Sequence, residues 1–546
     1  MALTALPCLA ALPLPVAAVD VLTNRYDISR SGANLQETAL STKTVCVRQF
    51  GKIFERAVDG DIYAQPLIKT GVLIPGFGVR NVVYVATVNN SLYAFDADSP
   101  AASKPFWHVS REAFGDPVPK EELTDLPADQ PYLNFESTVG IVATPVIDAG
   151  TNTIYVVANS KKNGEHRFRL HAFDLATGRE KTELHSPVTI EASYLGNGVG
   201  NVDGKIRFRP RKMLNRPGLL LLNGVLYMAF TAHLDAEPKF DYHGWILAYD
   251  AKSLRQVAAL CTTPDGIQGG IWQSGAGLAA ETRDGPLALV YAVAGNGSTG
   301  GRNYGESILQ LYAGELMSVK QALTPSTAAY LNDHDLDLST GPLLLPDLPF
   351  LIACSKEGKC YVVDRSDFHL VQEFQAAINS YGGERPSNIH GTPVAWRDSR
   401  NVLRLFVWGE DDYLRAFQYD GQRFSGAEKS IARAPAKSMP GGMLAVSANG
   451  GAPETGIVWA SVPESGDANI ATVDGVVRAF DAENAGKELW NSDQNVARDR
   501  LGKFAKFCQP VIANGKVYVA TFAEPVKRGQ MARPNHLVVY GLLGSQ

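Results

Sequence analysis

A short apolar run that ends in aspartate and a turn recurs along these 546 residues, and few folds can absorb such a repeat. The clearest copies run from Val82-Val83-Tyr84-Val85-Ala86 to Tyr93-Ala94-Phe95-Asp96, and from Ile154-Tyr155-Val156-Val157 to Leu170-His171-Ala172-Phe173-Asp174. Others close at Tyr249-Asp250, Leu309-Gln310-Leu311, Val363-Asp364, Ala416-Phe417, Phe480-Asp481 and Val539-Tyr540, which makes eight. Most are preceded by a strand headed by proline, as in Gln65-Pro66-Leu67, Thr144-Pro145-Val146, Arg216-Pro217-Gly218, Thr392-Pro393-Val394 and Gln509-Pro510-Val511. Proline is tolerated there because its missing N–H is needed only inside a ladder.

Each unit therefore reads as a four-stranded antiparallel sheet that cannot cover its own faces. Radial packing of such sheets leaves only short, protected edges, so the expected fold is all-β, an eight-bladed β-propeller of four-stranded antiparallel blades. An open ring would leave a sticky edge, and the segment around Phe50-Gly51-Lys52-Ile53-Phe54 is expected to complete the last blade. Gly115–Glu136 and Glu183–Arg216 read as long loops over one face, where functional residues gather.

The 51 glycines and 31 prolines mark the frequent turns of an all-β chain, and no low-complexity tract explains them. A net charge of -5 without a lysine or arginine cluster argues against a nucleic-acid partner. Met1 to Val19 is apolar and carries the small residues Val16-Ala17-Ala18. Residues 1–18 are thus read as a signal peptide and 19–546 as one propeller domain, exported to the periplasm or secreted. No other apolar stretch is long enough to span a membrane. Six cysteines include no C-x-x-C pair, which excludes covalent haem of the c type. Cys354 and Cys360 flank a glycine turn and either face each other across a hairpin or remain two buried thiols.

Chemistry concentrates between Gly269 and Gly358: Gly269-Gly270-Ile271-Trp272-Gln273, Ala294-Gly295-Asn296-Gly297, His334-Asp335-Leu336-Asp337 and Lys356-Glu357-Gly358. An indole, a carboxamide, a carboxylate and an ammonium arrive in that order, each beside a strand or a glycine turn. Each alone also has a plain reading as a packing aromatic, a turn residue, a loop cap or a solvated hairpin tip.

Taken together, the repeat (Phe173-Asp174-Leu175-Ala176-Thr177-Gly178, and Phe480-Asp481 to Trp490) and this ordered series resemble the pyrroloquinoline quinone (PQQ) dehydrogenase-like propellers, over nearly the whole chain after Val19. The resemblance implies that Trp272 is the floor under the quinone. It also implies that Asn296 binds calcium, that Asp337, 41 positions later, is the catalytic base and a further metal neighbour, and that Lys356 reaches the quinone oxygens. His390 falls where the family places a polar contact to the quinone. The physical roles agree. An indole offers flat contact area, calcium prefers oxygen donors and would act as a Lewis acid, lysine stabilises developing negative charge, and aspartate takes a hydroxyl proton.

The sequence departs from the family in two places. No two cysteines are adjacent, so the vicinal pair is missing. The calcium-binding glutamate of the third blade has no clear match, and Asp235 in Thr231-Ala232-His233-Leu234-Asp235 is the nearest carboxylate. Two classes of function follow. One is an exported quinoprotein-like oxidoreductase using PQQ and calcium on an alcohol or sugar hydroxyl, with a separate electron acceptor. The other is a non-catalytic propeller acting as a binding or outer-membrane assembly scaffold.

Overall fold

The computed structural model describes residues 18–126, 132–234, 241–282, 288–380, 382, 386–433, 438–525 and 534–544. Eight sheets of four or more strands follow one another along the chain. In the second, Val146–Asp148, Thr153–Lys162, Glu165–Asp174 and Val188–Thr189 pair antiparallel in sequence order. The fourth and fifth, which carry much of the site, repeat the pattern: Ala279–Thr282, Ala288–Ala294, Ser307–Tyr312 and Ser318–Leu323, then Leu343–Leu344, Phe350–Cys354, Lys359–Asp364 and Leu370–Gln375. The last sheet is completed by the N-terminal strand Phe50–Val58, which pairs with Asn535–Leu542, as the sequence led one to expect.

Eight apolar clusters each join one sheet to the next. Val82, Tyr84 and Ala94 of the first sheet pack on Ile154, Val156 and Phe173 of the second. The series closes where Tyr518 and Val539 of the last meet Val83, Val85 and Phe95 of the first. Central strands are therefore covered on both faces, which is why they read as continuous apolar runs rather than as alternating ones. Ser91–Asp96, for example, is buried along its whole length. Sheets so packed, closing on themselves, are a β-propeller.

The repeat's conserved-looking letters have local causes. The terminal aspartate caps the turn that follows it: Asp174 Oδ1 accepts from the Ala176 and Thr177 amides at 3.1 and 3.0 Å, and Asp96 of the first sheet and Asp250 of the third do the same. The tyrosine of the run is an inter-sheet clasp. Tyr84 OH donates to Leu175 O, Tyr155 OH to Ala251 O and Tyr518 OH to Ala97 O, each reaching the turn just after the next sheet's aspartate. Each such bond contributes about 1 kcal/mol.

The stretch Asn24 to Asn34 is the hub of the ring. Segment 21–34 bonds to every sheet in turn. Val21 pairs with Ile68, Ile147 N donates to Leu22 O, Arg30 Nη2 to Leu219 O, Ala280 N to Ile28 O, and Leu344 N to Ser29 O. Arg25 Nη2 donates to Pro393 O, Val446 N to Gly32 O, and Asn34 Nδ2 to Ile512 O. The hub fills the channel between the innermost strands. What remains open is the end where inter-sheet connections meet the turns after the second strands.

Among the described residues the longest helix is Ala328–Asp333, and none is long and apolar enough to cross a membrane. Cys354 and Cys360, opposite each other across the hairpin of the fifth sheet, form a disulfide, which decides between the two readings of that pair.

Candidate active site

A cavity of about 920 Å³ occupies the open end of the channel, within the size range that holds small organic ligands. Trp272, Asn296, Asp337, Lys356 and His390 all line it. The sequence-picked residues thus converge although Trp272 and Lys356 are 84 positions apart. Asp235 lies outside the described residues, as do residues 1–17 of the expected leader.

Glycines let this convergence happen. Gly269 N donates to Asn296 O at 2.7 Å and Gly295 N to Gly270 O at 3.0 Å, so the two glycine stretches lie back to back. A Cβ on Gly295 would stand 2.5 Å from Asp337 Oδ2 and 3.0 Å from the Trp272 ring. Only glycine admits the carboxylate and the indole edge on either side of that backbone.

The polar centre is a chain of charge-assisted bonds. Lys356 Nζ lies 2.5 Å from Asp337 Oδ1 and 2.7 Å from Asp335 Oδ1, and Asn296 Nδ2 donates to Asp335 Oδ1 at 2.9 Å. Lys356 is itself fixed from behind: its amide donates to Asp337 O at 3.0 Å, and the Cys354–Cys360 disulfide spans its hairpin. Asp337 is 1% exposed while Asp335 stands at the rim. Burial pushes the Asp337 carboxyl above its ordinary range, Lys356 opposes that, Asp335 adds to it and His390 counters it. His390 Nε2 lies 3.0 Å from Glu410 Oε1, and both side chains are buried.

Sequence reasoning missed Arg216, Glu410 and Phe507. The Arg216 guanidinium sits 3.6 Å from the Phe507 ring centre and 5.7 Å from that of Trp272, so a cation lies above the indole floor. A signal for it existed. Where other units place Gln65, Thr144, Thr392 and Gln509 before the strand-heading proline, the third unit places arginine.

Next to Phe507, Lys506 is wholly buried, with Nζ donating to Ala468 O at 2.9 Å. Burial and then the Arg216 charge pull its pKa down to about 7. Because the folded value lies below the ordinary 10.5, the penalty is absent above that value, grows as pH falls, and is complete below about 7. Lys506→Met is expected to raise unfolding free energy by about 3 kcal/mol at about pH 7 and by much less at about pH 10. Urea midpoints at the two pH values check it; a variant no more stable than the parent at neutral pH would refute it.

For a flat, anionic aromatic the donor set fits: an indole floor, the cations Arg216 and Lys356, and adequate volume. For calcium it does not. Among the described residues no group of three or more His, Cys, Asp and Glu is placed to hold a metal ion, and the Asp335 and Asp337 carboxylates are bridged by the Lys356 ammonium. His233, at the third-sheet position, lies with Nδ1 3.4 Å from Tyr132 OH, and burial pulls its pKa down to about 3, so it is neutral.

No protein-family model matches the sequence, and no curated protein matches it. Solved structures with the same fold include quinohemoprotein alcohol dehydrogenase from Comamonas testosteroni, with TM-score 0.56 and 13% identity over 96% of this chain and 81% of that one. A europium-containing methanol dehydrogenase gives 0.56 and 12% over 96% and 98%. At such identities the likeness is one of fold.

Proposed function

We propose that the protein is a quinoprotein-like oxidoreductase that oxidises an alcohol or sugar hydroxyl in the cavity at the open end of an eight-bladed propeller. The observation that carries this reading is the meeting of Trp272, Asn296, Asp337 and Lys356 in one cavity, on a fold shared with an alcohol and a methanol dehydrogenase. The leader at 1–18 directs the chain to the periplasm or outside, residues 19–546 form one domain, and reducing equivalents leave to a separate acceptor.

PQQ, when bound, supplies the two-electron acceptor for the hydride leaving the carbinol carbon. The protein does the rest. Trp272 gives the ring system its floor, and Arg216 and Lys356 offset its carboxylates and oxygens. Asp337 takes the hydroxyl proton as the C–H bond breaks, and its contact with Lys356 keeps the carboxylate form available. His390, facing Glu410, borders Asp337 and orients the polar end of the ligand. The products are a carbonyl compound, a proton on Asp337 and a reduced cofactor, so two electrons and two hydrogens balance.

A second reading, a non-catalytic binding or assembly scaffold, draws on the absent vicinal cysteine pair. An assay separates the two. Protein loaded with PQQ is mixed with an artificial electron acceptor and a panel of simple alcohols and sugars. Substrate-dependent reduction is expected in the wild type, with a loss of about a hundredfold or more in Trp272→Ala as the quinone loses its floor. No reduction with any panel member would favour the scaffold.

A further inference from the structure

We propose that Lys356 is the site's resident cation, and that the ligand is held without a divalent metal. The ammonium touches both carboxylates of the centre, at 2.5 Å on Asp337 and 2.7 Å on Asp335, the two that flank the Gly295-Asn296 turn. The Asn296 amide nitrogen bonds to the Asp335 oxygen that also takes the Lys356 ammonium, so that oxygen already carries two donors.

The hairpin that carries the lysine is built to keep it there. Its backbone donates to Asp337 O, the disulfide ties the two strands at Cys354 and Cys360, and Ser355 N donates to Lys359 O at 2.9 Å. Gly358 makes the turn at φ +83°, and a Cβ there would stand 2.8 Å from Ala377 O. A divalent ion on these carboxylates would have to push an ammonium off both of them while remaining beside it, and like charges at such range repel, most strongly at the buried Asp337. The side chain is only 16% exposed, so water offers the displaced ammonium little. Lysine then supplies the fixed positive charge beside the ligand oxygens that a metal would otherwise give.

The inference rests on the quinone reading only for the choice of one ligand probe, and the metal titrations stand without it. Terbium(III), excited through nearby indole, and calcium are titrated into metal-free wild type, Lys356→Ala and Lys356→Gln, with folding checked by circular dichroism. PQQ is titrated into each protein by fluorescence quenching, in chelator and in millimolar calcium. Wild type is expected to bind neither ion stoichiometrically, and its PQQ dissociation constant is expected to agree within about twofold in the two buffers. Both variants should gain terbium binding, and calcium should tighten PQQ on them by about tenfold or more. One equivalent of metal on wild type, or a tenfold calcium effect there, overturns the proposal. So does a failure of both folded variants to gain a metal, since the lysine is then not what stands in its place. If no protein binds PQQ in either buffer, the quinone reading falls and the terbium result alone decides the question of the cation.

Discussion

Asp337→Asn is expected to lower turnover about a hundred- to ten-thousand-fold while PQQ binds nearly as before. The amide keeps the size and the hydrogen-bonding edge of the carboxylate but cannot take the hydroxyl proton. Lys356 keeps Asp335 as its second partner, so the cation stays where it is. The loss should therefore fall on kcat, with little change in the amount of quinone retained. Steady-state kinetics with the artificial acceptor, alongside absorbance of bound quinone, check both halves. If turnover survives undiminished, the base is another group, and Asp335 on the same ammonium is the next to test.

The second large effect is on stability. Arg30 has no exposed surface and donates to Leu278 O, Asn24 O, Leu219 O and Thr23 Oγ1 at 2.7 to 3.1 Å, tying the hub to the third and fourth sheets. Its backbone sits at φ +59°, a conformation that side chains rarely adopt and that only surrounding bonds maintain. Arg30→Leu strands several buried carbonyls at once and should cost about 3–5 kcal/mol. A lowered urea midpoint at unchanged strand content by circular dichroism is the expected result. A midpoint shift below about 1 kcal/mol equivalent would mean that the hub does not hold the ring.

The fold was legible because its grammar is local. Each aspartate announces its own turn and each apolar run needs two covered faces, so the repeat can be read without tertiary information. The ring closure at Phe50–Val58 follows from the same edge argument. The hub was not legible in that way. Arg25, Tyr26 and Arg30 take left-handed backbone; Arg25 and Arg30 donate to carbonyls hundreds of residues away, as Arg25 does to Pro393, the Tyr26 hydroxyl accepts from the Ile512 amide, and nothing in adjacent sequence encodes such partners.

The site divides along the same line. Trp272, Asn296 and Lys356 could be found because each follows a recognisable glycine turn or strand end, whereas Asp337, which follows the helix Ala328–Asp333, was placed only by its spacing from Asn296 in the family series. Glu410 follows Trp408-Gly409 at a strand end much as Asn296 follows Gly295, but neither it nor Phe507, which precedes a strand, belongs to the family series, and each becomes functional only through what the ring brings opposite to it. Arg216 stood out only against its own repeat column. That Lys356 would bridge both aspartates, rather than wait for a quinone oxygen, depends on distances across the fifth sheet's first connection and hairpin, which spacing does not fix.

The proposed role of the open-end cavity is that of a quinone site. Retention of PQQ after gel filtration, quantified by absorbance against protein, tests it most directly. About one equivalent per chain is expected on wild type, and clear loss on Trp272→Ala and on Arg216→Ala, which remove the floor and the cation above it. Equal retention by all three proteins, or none by wild type, would contradict it.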